Sequence, residues 1–173
     1  MSKSLLQYML LFLVLTLLQV LVFNNLVLFN TAVCFIFIYL IVRLPLSLST
    51  NWLYTIAFLT GFIVDVFSDT PGLNSLASVL LASVKRPVTF SYISKDDKTK
   101  GETPCIATMG WGAYSKYLLT LTAIFCFISF SIEYFNFANV GQILIMTGAS
   151  TLFTFMVLIS TDCILDSYNA KRL

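Results

Sequence analysis

The feature that most constrains this chain is a succession of apolar segments, each about as long as a bilayer is thick, separated by short polar breaks. A helical crossing needs about 20 apolar residues. On that measure the candidate spans are Leu5 to Phe23, Leu26 to Leu46, Trp52 to Phe67, Leu73 to Val88, Tyr114 to Tyr134 and Val140 to Ile164. They predict an all-α integral membrane protein, with residues 1–173 forming a single transmembrane domain, a bundle of about six transmembrane helices with a cytoplasmic loop at 89–113. A soluble fold is excluded by surface area. With 58% hydrophobic and 10% charged residues, a domain of this size cannot hide its apolar side chains from water.

The breaks carry their own chemistry. Asn24 and Asn25 divide the first two spans, and Pro45 with Ser47, Ser49, Thr50 and Asn51 divides the second from the third. Ser68, Asp69, Thr70, Pro71 and Gly72 predict a tight turn whose polar side chains can cap the following helix while the proline suits its first turn. From Ser91 to Gly110 the chain is polar, and Gly101, Pro104 and Gly110 argue against a regular helix throughout. The charges from Lys95 to Glu102 read as solvated surface. The first run follows Lys3 as a secretory signal would, yet it is long enough to cross and no small-residue cleavage site follows it, so it is expected to be a retained helix.

Charge then orients the bundle, because short cytoplasmic loops collect lysine and arginine. With the N-terminus inside and six crossings, all ten basic residues fall on the cytoplasmic side with five of the eight acidic ones. Asp65, Asp69 and Glu133 remain on the outer side without a cation. The third and fourth runs are 16 residues each, about 24 Å of helix against a hydrocarbon core of about 30 Å. They either thin the bilayer or form a re-entrant hairpin, and both arrangements leave every charge on the same side.

Whole classes of chemistry drop out. The chain has no histidine, which removes the commonest catalytic base and the usual zinc and haem ligands. Its four cysteines, Cys34, Cys105, Cys126 and Cys163, lie far apart and are expected to act as buried small hydrophobes, with no disulfide framework. A net charge of +2 is too small for a nucleic-acid surface. No phosphate loop, nucleophile elbow or clustered acidic motif occurs. No catalytic residue, cofactor or metal is therefore expected.

The costly polar residues remain. Asp65 stands near the outer end of an apolar run, where an ionisable group tends to face the bundle interior. Asp69 follows one turn later, and Gly61 precedes it by one turn, where a missing side chain lets another helix approach. Paired carboxylates can bind a cation or relay protons. The reading favoured here is structural: with Asn74 close by, Asp65 or Asp69 caps the start of the next helix or bonds between helices. Glu133, followed by Asn136 and Asn139, either joins this polar outer cap with Gln19, Asn24 and Asn25 or stands solvated at the interface. Asp162 and Asp166 near the inner end of the last span read as a charge balance with Lys171 and Arg172. The stripe Phe127, Phe130 and Tyr134 reads as packing or lipid contact.

Several of these residues carry a resemblance. Gln19-Val20-Leu21-Val22-Phe23-Asn24, Leu44-Pro45-Leu46, Gly61-Phe62-Ile63-Val64-Asp65 leading into Asp69-Thr70-Pro71-Gly72-Leu73-Asn74, Arg86-Pro87 and the segment from Glu133 to Asn139 occur in an order and spacing that resembles the rod shape-determining MreD family of the Bacteroides group. The resemblance runs over nearly the whole chain, with the stretch from Gly61 to Gly72 its most specific part. It implies a fold similar to the S components of energy-coupling-factor vitamin transporters. It also implies a non-enzymatic scaffold subunit of the bacterial cell-wall elongation machinery in the inner membrane, with both termini cytoplasmic. The implied partners are MreC and, through it, RodA with its penicillin-binding transpeptidase and the filament MreB, besides the lipid bilayer. Gly61, Asp65, Asp69, Pro71, Gly72, Asn74 and Glu133 are the structural or interaction candidates. Two alternatives stay open. A solute-binding transport subunit predicts an outward pocket lined by groups such as Asn25, Asp65 and Asn74. An intramembrane enzyme would use the Asp65 and Asp69 carboxylates.

Overall fold

The computed structural model describes residues 2–23, 27–28, 31–92, 103–134 and 140–170. Helix α1 (Ser2–Leu18) runs on through a wider turn at Gln19–Phe23. Strands β1 (Val27–Leu28) and β2 (Ala32–Val33) pair antiparallel, Val27 opposite Val33, and a short helix α2 (Ile38–Arg43) follows. Next come α3 (Thr50–Ser68), α4 (Leu73–Tyr92), the single turn α5 (Ile106–Met109), α6 (Trp111–Glu133) and α7 (Val140–Ala170). Among the described residues α3, α6 and α7 over Val140–Cys163 are long and apolar enough to cross a membrane, and α1 has a shorter apolar stretch at Leu10–Phe23.

The run from Leu26 to Leu46 does not form the single spanning helix expected of it. A hairpin, an extended stretch and the short α2 take its place. The physical reason is complete enclosure: Cys34 to Val42 are all buried, most at 0–2% exposure. A segment surrounded on every side is apolar on every side, so its hydrophobicity has no period that separates strand from helix. Phe35, Phe37 and Phe125 meet edge to face at its centre, with centroids 5.1 Å apart for Phe35–Phe125 and 5.5 Å for Phe37–Phe125, the geometry that aromatic quadrupoles favour.

The third and fourth runs yield helices longer than their apolar cores. α3 has 19 residues and α4 has 20, about 28 and 30 Å at about 1.5 Å per residue. α4 continues through Pro87, which is exposed. Its buried face mixes Ala77, Leu81 and Ala82 with several polar residues. Asn74, Ser75, Ser78, Lys85 and Thr89 are buried while Leu76, Leu80 and Phe90 are exposed. Polar and small residues at helix contacts with apolar residues outside is the arrangement a bilayer favours.

Packing also sorts the ends of the helices. Arg86, late in α4, bonds Thr50 at the start of α3, and the hydroxyls of Tyr92, at the end of α4, and Thr120, in the first half of α6, share a hydrogen bond of 3.0 Å. Arg43 pairs with Asp162 in the second half of α7. Arg43, Lys85, Arg86, Trp52 and Trp111 thus lie toward one end, and the Asp69 turn and Glu133 toward the other.

Candidate functional site

The outer candidates come together where α3 turns into α4. Asp65 is the last inward residue of α3. The chain leaves the helix at Asp69, whose φ of +55° is left-handed, and its amide bonds the Asp65 carbonyl. Aspartate tolerates that conformation better than most residues. Gly72, at φ +79°, is in a region that favours glycine. The turn brings α4 back with its free amides facing Asp65. Asn74 N (2.9 Å), Asn74 Nδ2 (3.0 Å) and Thr70 Oγ1 (2.8 Å) donate to Oδ1. Ser75 N (2.8 Å) and Ser75 Oγ (2.5 Å) donate to Oδ2. Five donors occupy a carboxylate that has about four lone-pair sites, so Asp65 has no acceptor capacity left for a cation or a transferable proton.

Gly61 makes this contact possible. A Cβ there would stand 2.5 Å from the Asn74 carbonyl oxygen and 2.6 Å from Ser75 Cα, both backbone atoms that cannot give way alone. Gly61, Asp65, Asn74 and the turn residues Asp69, Pro71 and Gly72 are therefore one unit. Glu133 is not part of it: it is exposed at the end of α6 and bonds none of them among the described residues. Asn24, Asn25, Asn136 and Asn139 lie outside the described residues.

A second polar constellation supports the non-helical centre. Gln19, the first residue of the wider turn after α1, donates from Nε2 to the Cys34 carbonyl (2.9 Å) and accepts at Oε1 from Ile36 N (2.8 Å). Val33 N donates to Ser150 Oγ (3.0 Å) and Phe35 N to Thr154 Oγ1 (3.2 Å), both on α7. Irregular backbone at membrane depth persists only where protein satisfies it, and these three side chains do so.

The third constellation corrects the sequence reading of Asp162. Asp162 is not at an interface but buried at 0% exposure; Lys171 and Arg172 lie outside the described residues. Tyr39 and Tyr114 donate their hydroxyls to its two oxygens, and Arg43 lies 3.3 Å away. Arg43 Nε also donates to the Tyr39 hydroxyl at 3.0 Å. Beside this group Tyr117 donates to the Val42 carbonyl (3.2 Å) and Lys85 Nζ to the Leu44 carbonyl, so both bind the C-terminal carbonyls of α2. Arg86 holds the Leu48 carbonyl and Thr50. Cys34 and Cys126 are buried, whereas Cys163 faces outward, against expectation.

Sequence reasoning missed Tyr39, Tyr114 and the inward role of Lys85. A signal for Lys85 was present: Asn74, Ser78, Ala82, Lys85 and Thr89 recur every three or four residues and mark one buried face. Among the described residues no three Cys, Asp or Glu side chains gather as a metal site would require. Between α3 and α4, on their outer side, runs an open groove of about 890 Å³. No protein-family model, no curated protein and no solved structure matches this chain.

Proposed function

We propose that the chain is a non-enzymatic, multi-pass membrane scaffold subunit of the bacterial cell-wall elongation machinery, of the kind the MreD family represents. In this reading it lies in the inner membrane with both termini in the cytoplasm. It maintains rod shape by binding partner membrane proteins: MreC and, through it, RodA with its penicillin-binding transpeptidase and MreB. The observation that carries the non-enzymatic part is the fate of the interior polar groups. Asp65, Gln19 and Asp162 are engaged in holding helices and irregular backbone together, which leaves a rigid body with its surface free for contacts. The family assignment rests on the motif order described above. The exposed Leu76, Leu80 and Phe90 and the buried polar residues of α4 support the membrane setting.

A solute-binding role has less support. Asp65 and Asn74 are 5% and 4% exposed and bonded to each other, and the groove beside them is mainly apolar. The test is depletion in a rod-shaped host together with purification of the tagged protein in mild detergent. Rounded cells and a co-purifying elongation complex are expected. Unchanged rods with no such complex would refute the proposal.

A further inference from the structure

The groove between α3 and α4 is built from one face of each helix. Phe58, Phe62 and Val66 recur at helical spacing on α3, Leu76 and Val79 on α4, and the Asp69 turn closes one end. Phe58 and Phe62 stack with centroids 5.9 Å apart, giving a flat apolar wall. Grooves of this form accept the side-chain ridge of another helix. On α7, Leu144, Ile145, Leu152 and Met156 also face outward.

Charge selects the occupant. Asp65 lines the groove, but its acceptors are filled from within the chain. Asp69, at the groove's end, is exposed and has no ion pair among the described residues. In the orientation proposed above, every lysine and arginine of the chain lies on the opposite side of the membrane. A second copy therefore has no cation to bring to Asp69, and an acyl chain has none either.

We propose that this groove seats a single transmembrane helix of a partner protein that carries a lysine or arginine at its outer membrane–water interface, where it pairs with Asp69. This rests on the interaction-subunit reading and names the surface that reading requires. Near a bilayer surface such a pair is less screened than in bulk water, and it sets the depth of the docked helix.

The test places a photo-crosslinking amino acid at Leu76, in the groove, or at Leu152, on the outer face of α7, in the full chain in its native membrane. The expected result is a protein adduct from position 76, with an outer-interface lysine or arginine in the partner's transmembrane segment, and lipid adducts from position 152. Asp69→Lys should reduce the protein adduct about fivefold or more. Reversing the partner's cation to glutamate should restore it. Asp69→Asn, which keeps the left-handed backbone position comfortable, should give a smaller loss and guards against misfolding of the lysine variant. Lipid alone at position 76, a second copy of this chain, or a protein adduct indifferent to both Asp69 variants would overturn the inference. If proteins still co-purify in that case, the groove assignment alone has failed; if none do, the interaction reading has failed with it.

Discussion

The side-chain amide of Gln19 takes the place of a neighbouring backbone strand for Ile36, accepting its amide at 2.8 Å while donating to Cys34 at 2.9 Å. One residue of the turn that follows α1 thereby satisfies both a donor and an acceptor of a segment that has no ladder of its own. Replacing it by leucine, of similar bulk, strands both groups in the interior. Gln19→Leu is expected to lower stability by about 2–4 kcal/mol, read as a lower midpoint of thermal denaturation in detergent; an unchanged midpoint would remove Gln19 from this role.

Asp65 accepts five hydrogen bonds, four from the first turn of α4 and one from Thr70 in the turn before it. Removing a charged cap of this kind is expected to cost about 2–4 kcal/mol in Asp65→Ala, and about half of that in Asp65→Asn, which retains one acceptor oxygen. The order wild type, Asn, Ala in detergent stability is the outcome to check. Asn and Ala variants both equal to wild type would contradict the capping geometry.

Gly61→Ala adds one methyl group against the backbone of Asn74 and Ser75. Relief requires α3 and α4 to separate, which for an overpacked contact costs about 1–3 kcal/mol. Gly72→Ala acts through the backbone instead, since nothing lies near its Cβ, and about 1 kcal/mol is expected from the left-handed φ. The larger loss should fall at position 61, measured by the same denaturation assay.

The side chains of Arg43, 16% exposed, and Asp162, 1% exposed, form an ion pair whose members depend on one another. Asp162→Leu takes the carboxylate from Arg43 and from the Tyr39 and Tyr114 hydroxyls and is expected to cost about 3–5 kcal/mol, whereas Arg43→Met combined with Asp162→Leu should recover part of that loss. A double-mutant cycle measures the coupling, expected at about 1–3 kcal/mol. Additive losses would show that the two residues act separately.

Lys85 behaves differently, because a single carbonyl accepts from it at 1% exposure and no carboxylate lies within ion-pair distance among the described residues. Replacing a buried charge with few compensating partners by an apolar chain of similar length is close to neutral. Lys85→Met should shift stability by no more than about 1 kcal/mol in either direction. A loss as large as that of Asp162→Leu would mean that Lys85 has partners beyond Leu44.

The contact of Gly61 and Asp65 with Asn74 and Ser75 was legible because it is local: a helix period, a turn and a cap within fifteen residues leave the chain little choice. Asp162 was illegible for the opposite reason. Its partners Tyr39, Arg43 and Tyr114 are 123, 119 and 48 positions away, and Lys171 and Arg172 beside it in sequence offered a nearer explanation. The second span misled because full burial erases the pattern on which a helix assignment depends.

The amino-acid sequence by itself determined the apolar helices, the uneven distribution of basic residues and the capped turn after α3, since each follows from composition or from contacts a few residues apart. Only the tertiary structure decided that the centre of the molecule is irregular backbone held by Gln19, Ser150 and Thr154, and that an ion pair with a buried carboxylate joins α2 to α7. Those features exist because backbone groups enclosed by protein must find partners wherever the fold brings them, and no local pattern records which distant side chains will arrive.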